Sequence, residues 1–186
     1  MSRPPAPAGQ RRDGRRRLPV TVLRARAADA PQLSALAFRS KAMWGYGARF
    51  IHACRGELHV GAATLGARDR RCLVARHGGS IRGFCMLVRE TAHRWELDAL
   101  FVSPEAIRHG IGRALMRAAC QRVARDGARE LLIQSDPHAE GFYRKLGAAA
   151  VGRRASDSIP GRHLPLLRLR LRARSAQRRR INVRSE

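Results

Sequence analysis

The sequence predicts a mixed α/β domain: three layers, with a central, mostly antiparallel sheet and helices on both faces. Three observations carry that prediction. Short apolar or alternating runs recur between turn signals at 21–26, 72–76, 81–89, 95–102, 131–133, 149–153 and 166–171. Longer stretches with helical apolar spacing separate some of these runs. Three of the strands follow one another without a helix between them, which a purely parallel sheet does not permit.

Along the chain, Thr21-Val22-Leu23-Arg24-Ala25-Arg26 alternates like a half-buried strand. Asp29 as N-cap and Pro31 in the first turn open a helix through Leu33, Leu36, Ala37 and Lys41. Trp44-Gly45-Tyr46-Gly47 interrupts it, and a second amphipathic helix is expected around Phe50, Ile51 and Cys54. His77-Gly78-Gly79-Ser80 reads as the turn of a hairpin between the second and third strands, and Trp95 to Val102 reads as the fourth. Next comes a helix from Ile111 to Asp126 with Ile111, Leu115, Ala118, Ala119 and Val123 on one stripe, stopped by Gly127. Leu131-Leu132-Ile133 is a short buried strand, His138 to Leu146 a short helix closed by Gly147, and a strand pair ends the domain. The expected order is β-α-α-β-β-β-α-β-α-β-β.

A chain of 186 residues is one domain with one good core, and 44% hydrophobic content rules out disorder throughout. Its charge is far from ordinary: 38 Lys+Arg against 14 Asp+Glu, a formal +24. Much of that excess is arginine at the two ends, so the domain is set at 18–172, with arginine-rich tails at 1–17 and 173–186 expected to be disordered. Such tails would attract nucleic acid only non-specifically. Cys54, Cys72, Cys85 and Cys120 have neither metal-ligand nor disulfide-framework spacing and are expected to be reduced and mostly buried. No metal site is expected. No uncharged apolar run is long enough to span a bilayer, so no membrane partner is expected and the default location is cytoplasmic.

The most informative stretch runs from Val102 to Leu115, a strand end entering a helix through Gly110-Ile111-Gly112. Backbone N–H groups at such a turn, with the positive end of the helix dipole, suit a pyrophosphate. Leu115 stands where a dinucleotide fingerprint needs a third glycine, and no Gly-Lys-Ser/Thr is present for a Walker loop. Downstream lies Asp136-Pro137-His138-Ala139-Glu140-Gly141-Phe142-Tyr143-Arg144-Lys145-Leu146-Gly147, with Ala139 and Tyr143 four apart on one helix face.

Together these residues resemble the GNAT superfamily of N-acetyltransferases over about residues 20–172, most specifically over 96–147. Val102, Pro104, Gly110 and Gly112 match the family's pyrophosphate loop. Ile107 stands where the family has Arg or Gln, and Arg108 is positioned to supply the cation instead. Asp136, Ala139, Tyr143 and Gly147 follow the family's second signature, with Ala148 where phenylalanine is usual. The resemblance implies acetyl-CoA as co-substrate, held by Leu100, Phe101, Val102, Arg108, His109, Gly110, Ile111, Gly112, Arg113, Asp136, Ala139 and Tyr143. It implies that Tyr143 protonates the departing thiolate and that Glu96, or its close rival Asp98, removes the amine proton through water. A backbone N–H near Leu100 or Phe101 would meet the oxyanion, where this strand splays from Leu131–Ile133. Lys41, Trp44 and Tyr46 lie where the family binds its acceptor, and 156–162 is a turn where specificity often resides. The expected acceptor is a primary amine, on a small molecule or a protein N-terminus, and a homodimer through the last strands is open to such a chain.

Two other readings stand beside this one. A non-catalytic acyl-CoA-binding module is allowed by the departures at Ile107, Asp136 and Ala148. A nucleic-acid-binding protein is suggested by the arginine tails, but aromatics are only 5%, too few for a stacking surface.

Overall fold

The structure, a computed structural model, describes residues 17–171, so the basic stretches beyond both ends lie outside the described residues. One seven-stranded sheet organises the chain in the order β1-β2-β3-β4-β5-β7-β6. Its strands are β1 (Thr21–Arg24), β2 (Arg70–His77), β3 (Ser80–Arg89), β4 (Arg94–Val102), β5 (Glu130–Gln134), β6 (Ala149–Ala155) and β7 (His163–Arg170). Every pairing is antiparallel except β4 with β5, so the fold is the three-layer mixed architecture that the sequence predicts.

Helix α1 (Ala30–Ala42) and three short helices, α2 (Ala48–Ala53), α3 (Arg55–Leu58) and α4 (Ala62–Gly66), cover one face. They pack Leu33, Leu36, Leu58 and Leu65 against Val74, Phe84 and Met86. Helices α5 (Ile111–Arg125) and α6 (Pro137–Arg144) belong to the other face, where Ile111, Leu115, Met116, Ala119 and Val123 pack with Leu87, Trp95, Leu97 and Leu131. Met116 joins the buried stripe of α5 in place of the expected Ala118. The sequence showed one helix after residue 47 where there are three, because their runs are shorter than the window in which helical periodicity is legible.

Asp29 precedes α1 as expected but does not cap it with its side chain. Its carboxylate instead accepts from the Arg26 backbone N–H (2.9 Å) and from Arg76 Nη2 (2.6 Å), tying α1 to β2. The last strand starts at His163, earlier than expected, and includes Pro165, whose carbonyl accepts from Ser135 N–H at 2.8 Å. Gly83 shows why β3 and α5 can touch: a Cβ there would stand 2.9 Å from the Phe101 carbonyl oxygen and 3.1 Å from Ile111. All four cysteines are unpaired. Burial pushes the Cys72 thiol up to about 12 and the Cys120 thiol up to about 11, so neither is a thiolate at neutral pH.

Two irregularities in the sheet position everything that follows. Strands β4 and β5 are paired only from Arg94–Glu130 to Leu97–Ile133, and β4 then continues to Val102 with β3 as its sole neighbour. Between Met86 and Leu87 the β3 register shifts, with Leu97 opposite Leu87 and Ala99 opposite Met86, so Asp98 is the extra residue of a bulge. Before the bulge Trp95 and Leu97 face α5; after it Leu100 and Val102 do, while Ala99 and Phe101 turn toward α1.

Candidate active site

A cavity of about 570 Å³ opens on the α1 side of β4, just where β4 and β5 part. Strand β4 contributes Glu96, Asp98, Ala99 and Phe101 to its wall. Its charge is unlike that of the whole chain. Six carboxylates line it (Glu57, Glu90, Glu96, Asp98, Asp136 and Asp157) against three cations, Lys41, Arg70 and Arg154.

Each of those cations is already engaged. Arg154 Nη1 donates to both oxygens of Glu96 at 2.7 and 2.8 Å. Arg70 Nη1 reaches Asp98 at 3.3 Å, and Lys41 Nζ reaches Asp136 at 2.8 Å. Among the described residues Glu57, Glu90 and Asp157 therefore have no ion-pair partner. The proton affinities of Glu57 and Glu90 are raised. A hydrogen bond to Glu96, then burial, raises Glu90; burial, opposed by Lys41 and reinforced by Asp157, raises Glu57, whose carboxylate also meets the Ser158 hydroxyl.

The two candidate bases differ in their surroundings. Both carboxylate oxygens of Glu96 accept from Arg154 Nη1, so the group is already engaged. Asp98 has one longer contact, is about half exposed, and sits on the bulge immediately after the last β4–β5 pair. Burial raises its pKa, with Arg70 pulling it back. In a strand, successive N–H groups point to opposite edges, so from Asp98 onward some β4 amides face the gap left by β5.

Asp136 holds the cavity's upper rim together. Its Oδ1 caps α6 by accepting from His138 N–H (3.1 Å), while Lys41 Nζ, the Tyr46 hydroxyl (2.9 Å to Oδ2) and, more distantly, Arg162 (3.7 Å) converge on the same carboxylate. Burial alone would raise this group, but the Lys41 ammonium and the other donors outweigh it and hold the pKa below the ordinary aspartate value. Tyr46 stacks on Phe50 (centroids 4.1 Å apart) and its hydroxyl accepts from Arg162 Nη2 at 2.9 Å. Trp44 stacks on His138, 5.2 Å between centroids, and is 39% exposed. Lys41, Tyr46 and Asp136 thus form one cluster, and Asp136, expected on the cofactor side, spends its carboxylate on the helix cap and the rim.

The glycine turn lies on the other face of the sheet. Gly110 has φ +84°, occupies the N-cap of α5, and leaves the helix's first N–H groups uncapped by any side chain. Arg108 precedes it with φ +67°, an uncommon backbone for a residue with a Cβ, and like Arg113 its side chain is exposed. Ile111 is buried beneath the turn and contributes its backbone rather than its side chain. A Cβ on Gly112 would point at Phe142 (3.3 Å) and Val102 (3.8 Å), so glycine there lets α5 and α6 approach, and a side chain would act on that packing before it reached a phosphate.

Tyr143 is 6% exposed and packs with the α5 cluster beside the partly buried Ala139. Its hydroxyl has no hydrogen-bond partner among the described residues. Burial, with Cys85 and the Asp136 carboxylate adding to it, raises its pKa, so it remains a neutral O–H donor well above neutral pH. Among the described residues no group of His, Cys, Asp and Glu could hold a metal ion, and no helix is long and apolar enough to cross a membrane.

Sequence reasoning did not find Arg154, Arg70, Glu57 or Glu90, and reached Asp157 only as part of the 156–162 turn. They come from four separate segments and share no motif; only the fold brings them to one cavity.

Comparison with known proteins places this geometry in context. The family model described as acetyltransferase (GNAT) family matches residues 37–148. The peptidyl-lysine N-acetyltransferase YjaB of Salmonella typhimurium is 33% identical over 87 residues, 47% of this chain and 54% of that protein, so the match spans about half of the relative's length. Among solved structures, the PaiA N-acetyltransferase of Thermoplasma acidophilum in complex with coenzyme A aligns with TM-score 0.67 at 18% identity, over 82% of this chain and 99% of that one. The ribosomal-protein-S18-alanine N-acetyltransferase of Escherichia coli aligns with TM-score 0.62 at 16% identity, over 82% and 94%.

Proposed function

The chain belongs to the GNAT acetyltransferase family, and on that premise we propose that it moves an acetyl group from acetyl-CoA to a primary amine carrying at least one further positive charge. The single observation behind the choice of acceptor is the acidic cavity: six carboxylates against three cations, with three of the carboxylates in no ion pair among the described residues, in a chain of formal charge +24. Like charges gathered in excess at a cleft repel one another, and a polycationic amine relieves that repulsion while being steered inward. The similarity to a peptidyl-lysine acetyltransferase supports an alkylamine acceptor of this kind.

The chain's own groups divide the work as follows. The N–H groups of the α5 N-terminus hold the cofactor's pyrophosphate, and the open edge of β4 receives its extended arm. Asp98 accepts the ammonium proton, directly or through water, freeing the lone pair for attack on the acetyl carbonyl. A β4 amide facing the gap donates to the carbonyl oxygen as charge gathers there. Tyr143 offers its unpartnered O–H to the departing sulfur. Glu96, fixed by Arg154, shapes the wall and its field, while Glu57 and Asp157 receive the acceptor's second charge.

The test compares thiol release with butylamine and with a short and a long α,ω-diamine, for the natural chain and for Glu57→Gln/Asp157→Asn. The diamine of fitting length should exceed butylamine in kcat/KM by on the order of tenfold or more, as for a desolvated charge contact. The double variant should bring that ratio near one without changing the butylamine rate. Equal rates in the natural chain would refute the polycationic acceptor and leave acetyl transfer standing; no thiol release with any amine would refute the transfer itself.

A further inference from the structure

The segment leading into β1 lies across the glycine turn. Leu18 N–H donates to the His109 carbonyl at 3.3 Å, Pro19 O lies 2.7 Å from His77 Nδ1, and Leu18 and Val20 pack on the α5-side core. From Thr21 the chain is paired to β2, with Thr21 opposite Arg76. Backbone, side-chain and sheet contacts therefore fix where Arg17 emerges. Its Cγ, Cδ and Nε stand 3.6, 3.7 and 4.0 Å from the place a Cβ on Gly110 would take, directly over the turn.

This is an unfavourable place for a cation in the protein by itself. Arg108 and Arg113 flank the same turn, the helix end is positive, and none of the three arginines forms an ion pair among the described residues. Glu105, the carboxylate of the preceding short turn, is bound to the Ser103 hydroxyl. Cations held together around a helix N-terminus without an acid become favourable when an anion enters between them. Meanwhile Ile107, partly buried and apolar, contributes no charge from within the loop.

We propose that Arg17, carried onto the turn by the lead-in to β1, supplies the pyrophosphate-binding cation that Ile107 does not. Beside Arg108 and Arg113 at the turn, a further cation then comes from a segment ninety residues from Ile107 in sequence, which makes the N-terminal lead-in part of the cofactor site. This rests on acetyl-CoA being the co-substrate, as proposed above.

The test is calorimetric titration of CoA and of 3′-dephospho-CoA into the full chain, into Arg17→Gln, and into Arg17→Gln/Ile107→Arg. Arg17→Gln should weaken both ligands equally, by about tenfold for loss of one charge-assisted contact. Ile107→Arg in that background should recover most of the loss by restoring a cation within the loop. Unchanged or tighter binding by Arg17→Gln, beside saturable binding by the natural chain, would overturn the assignment to Arg17 alone. A loss confined to CoA would move Arg17 to the 3′-phosphate and overturn the pyrophosphate assignment. No binding by the natural chain would remove the cofactor reading along with it.

Discussion

Replacing Tyr143 with phenylalanine is expected to cut kcat for acetyl transfer by on the order of a hundredfold, the scale of one lost general acid, while leaving the affinity for acetyl-CoA and the thermal stability almost unchanged. The physical reason is the state of the hydroxyl. The ring is buried on a packed helix face while the hydroxyl is bonded to no described residue, so deleting the hydroxyl breaks no protein contact and the ring still fills its place in the α5 cluster. Burial and nearby negative charge keep it protonated, so at neutral pH it can donate and cannot act as a base. A tyrosine present only for packing would give a phenylalanine variant with natural kcat. Equal losses in kcat and acetyl-CoA affinity, with a lowered Tm, would point to a structural role.

Asp98→Asn is the second large effect expected, and it carries a pH signature. An alkylamine with pKa near 10 is about one part in a thousand neutral at pH 7, so a proton acceptor at the site matters most there. The variant should lose on the order of a hundredfold in kcat/KM at pH 7, and the deficit should shrink as pH rises toward the amine pKa and solution supplies the neutral acceptor. Burial raises the Asp98 pKa, so the carboxylate is a stronger base than a free aspartate; it is ionised above that raised value and loses its role as pH falls through it. Glu96→Gln should show a smaller and less pH-dependent deficit, because both oxygens of Glu96 are already held by Arg154. If the Glu96 variant instead carried the pH-dependent deficit, the base would be Glu96 and Asp98 a wall residue.

That comparison also marks where the sequence stopped being informative. The alternation of Trp95-Glu96-Leu97-Asp98 puts both acids on one face, and both do line the cavity. What alternation cannot register is the bulge at Asp98, which swaps the faces of every later residue on β4 and places one acid at the parting of the strands. The glycine turn was legible because its requirements are local: Gly110 needs a positive φ and Gly112 a close neighbour, and few residues meet them. The order of the long elements was legible for the same reason. The acidic cavity was not, since Glu57, Glu90 and Asp157 are ordinary exposed residues that only the fold brings to one cavity wall. Arg17 was counted with an arginine-rich tail, whereas the contacts of Leu18 with His109 and of Pro19 with His77 carry it over the glycine turn. Asp136 kept its expected place at the head of α6, but its carboxylate serves the rim formed with Lys41 and Tyr46.

Every role assigned here depends on coenzyme A lying between the α5 N-terminus and the open edge of β4. Calorimetric titration of acetyl-CoA into the folded full chain tests that most directly. Saturable binding at one site per chain, weakened when the left-handed Gly110 is replaced by valine, is the result expected. A folded chain that takes up no acetyl-CoA, or one whose binding is indifferent to Gly110→Val, would contradict it.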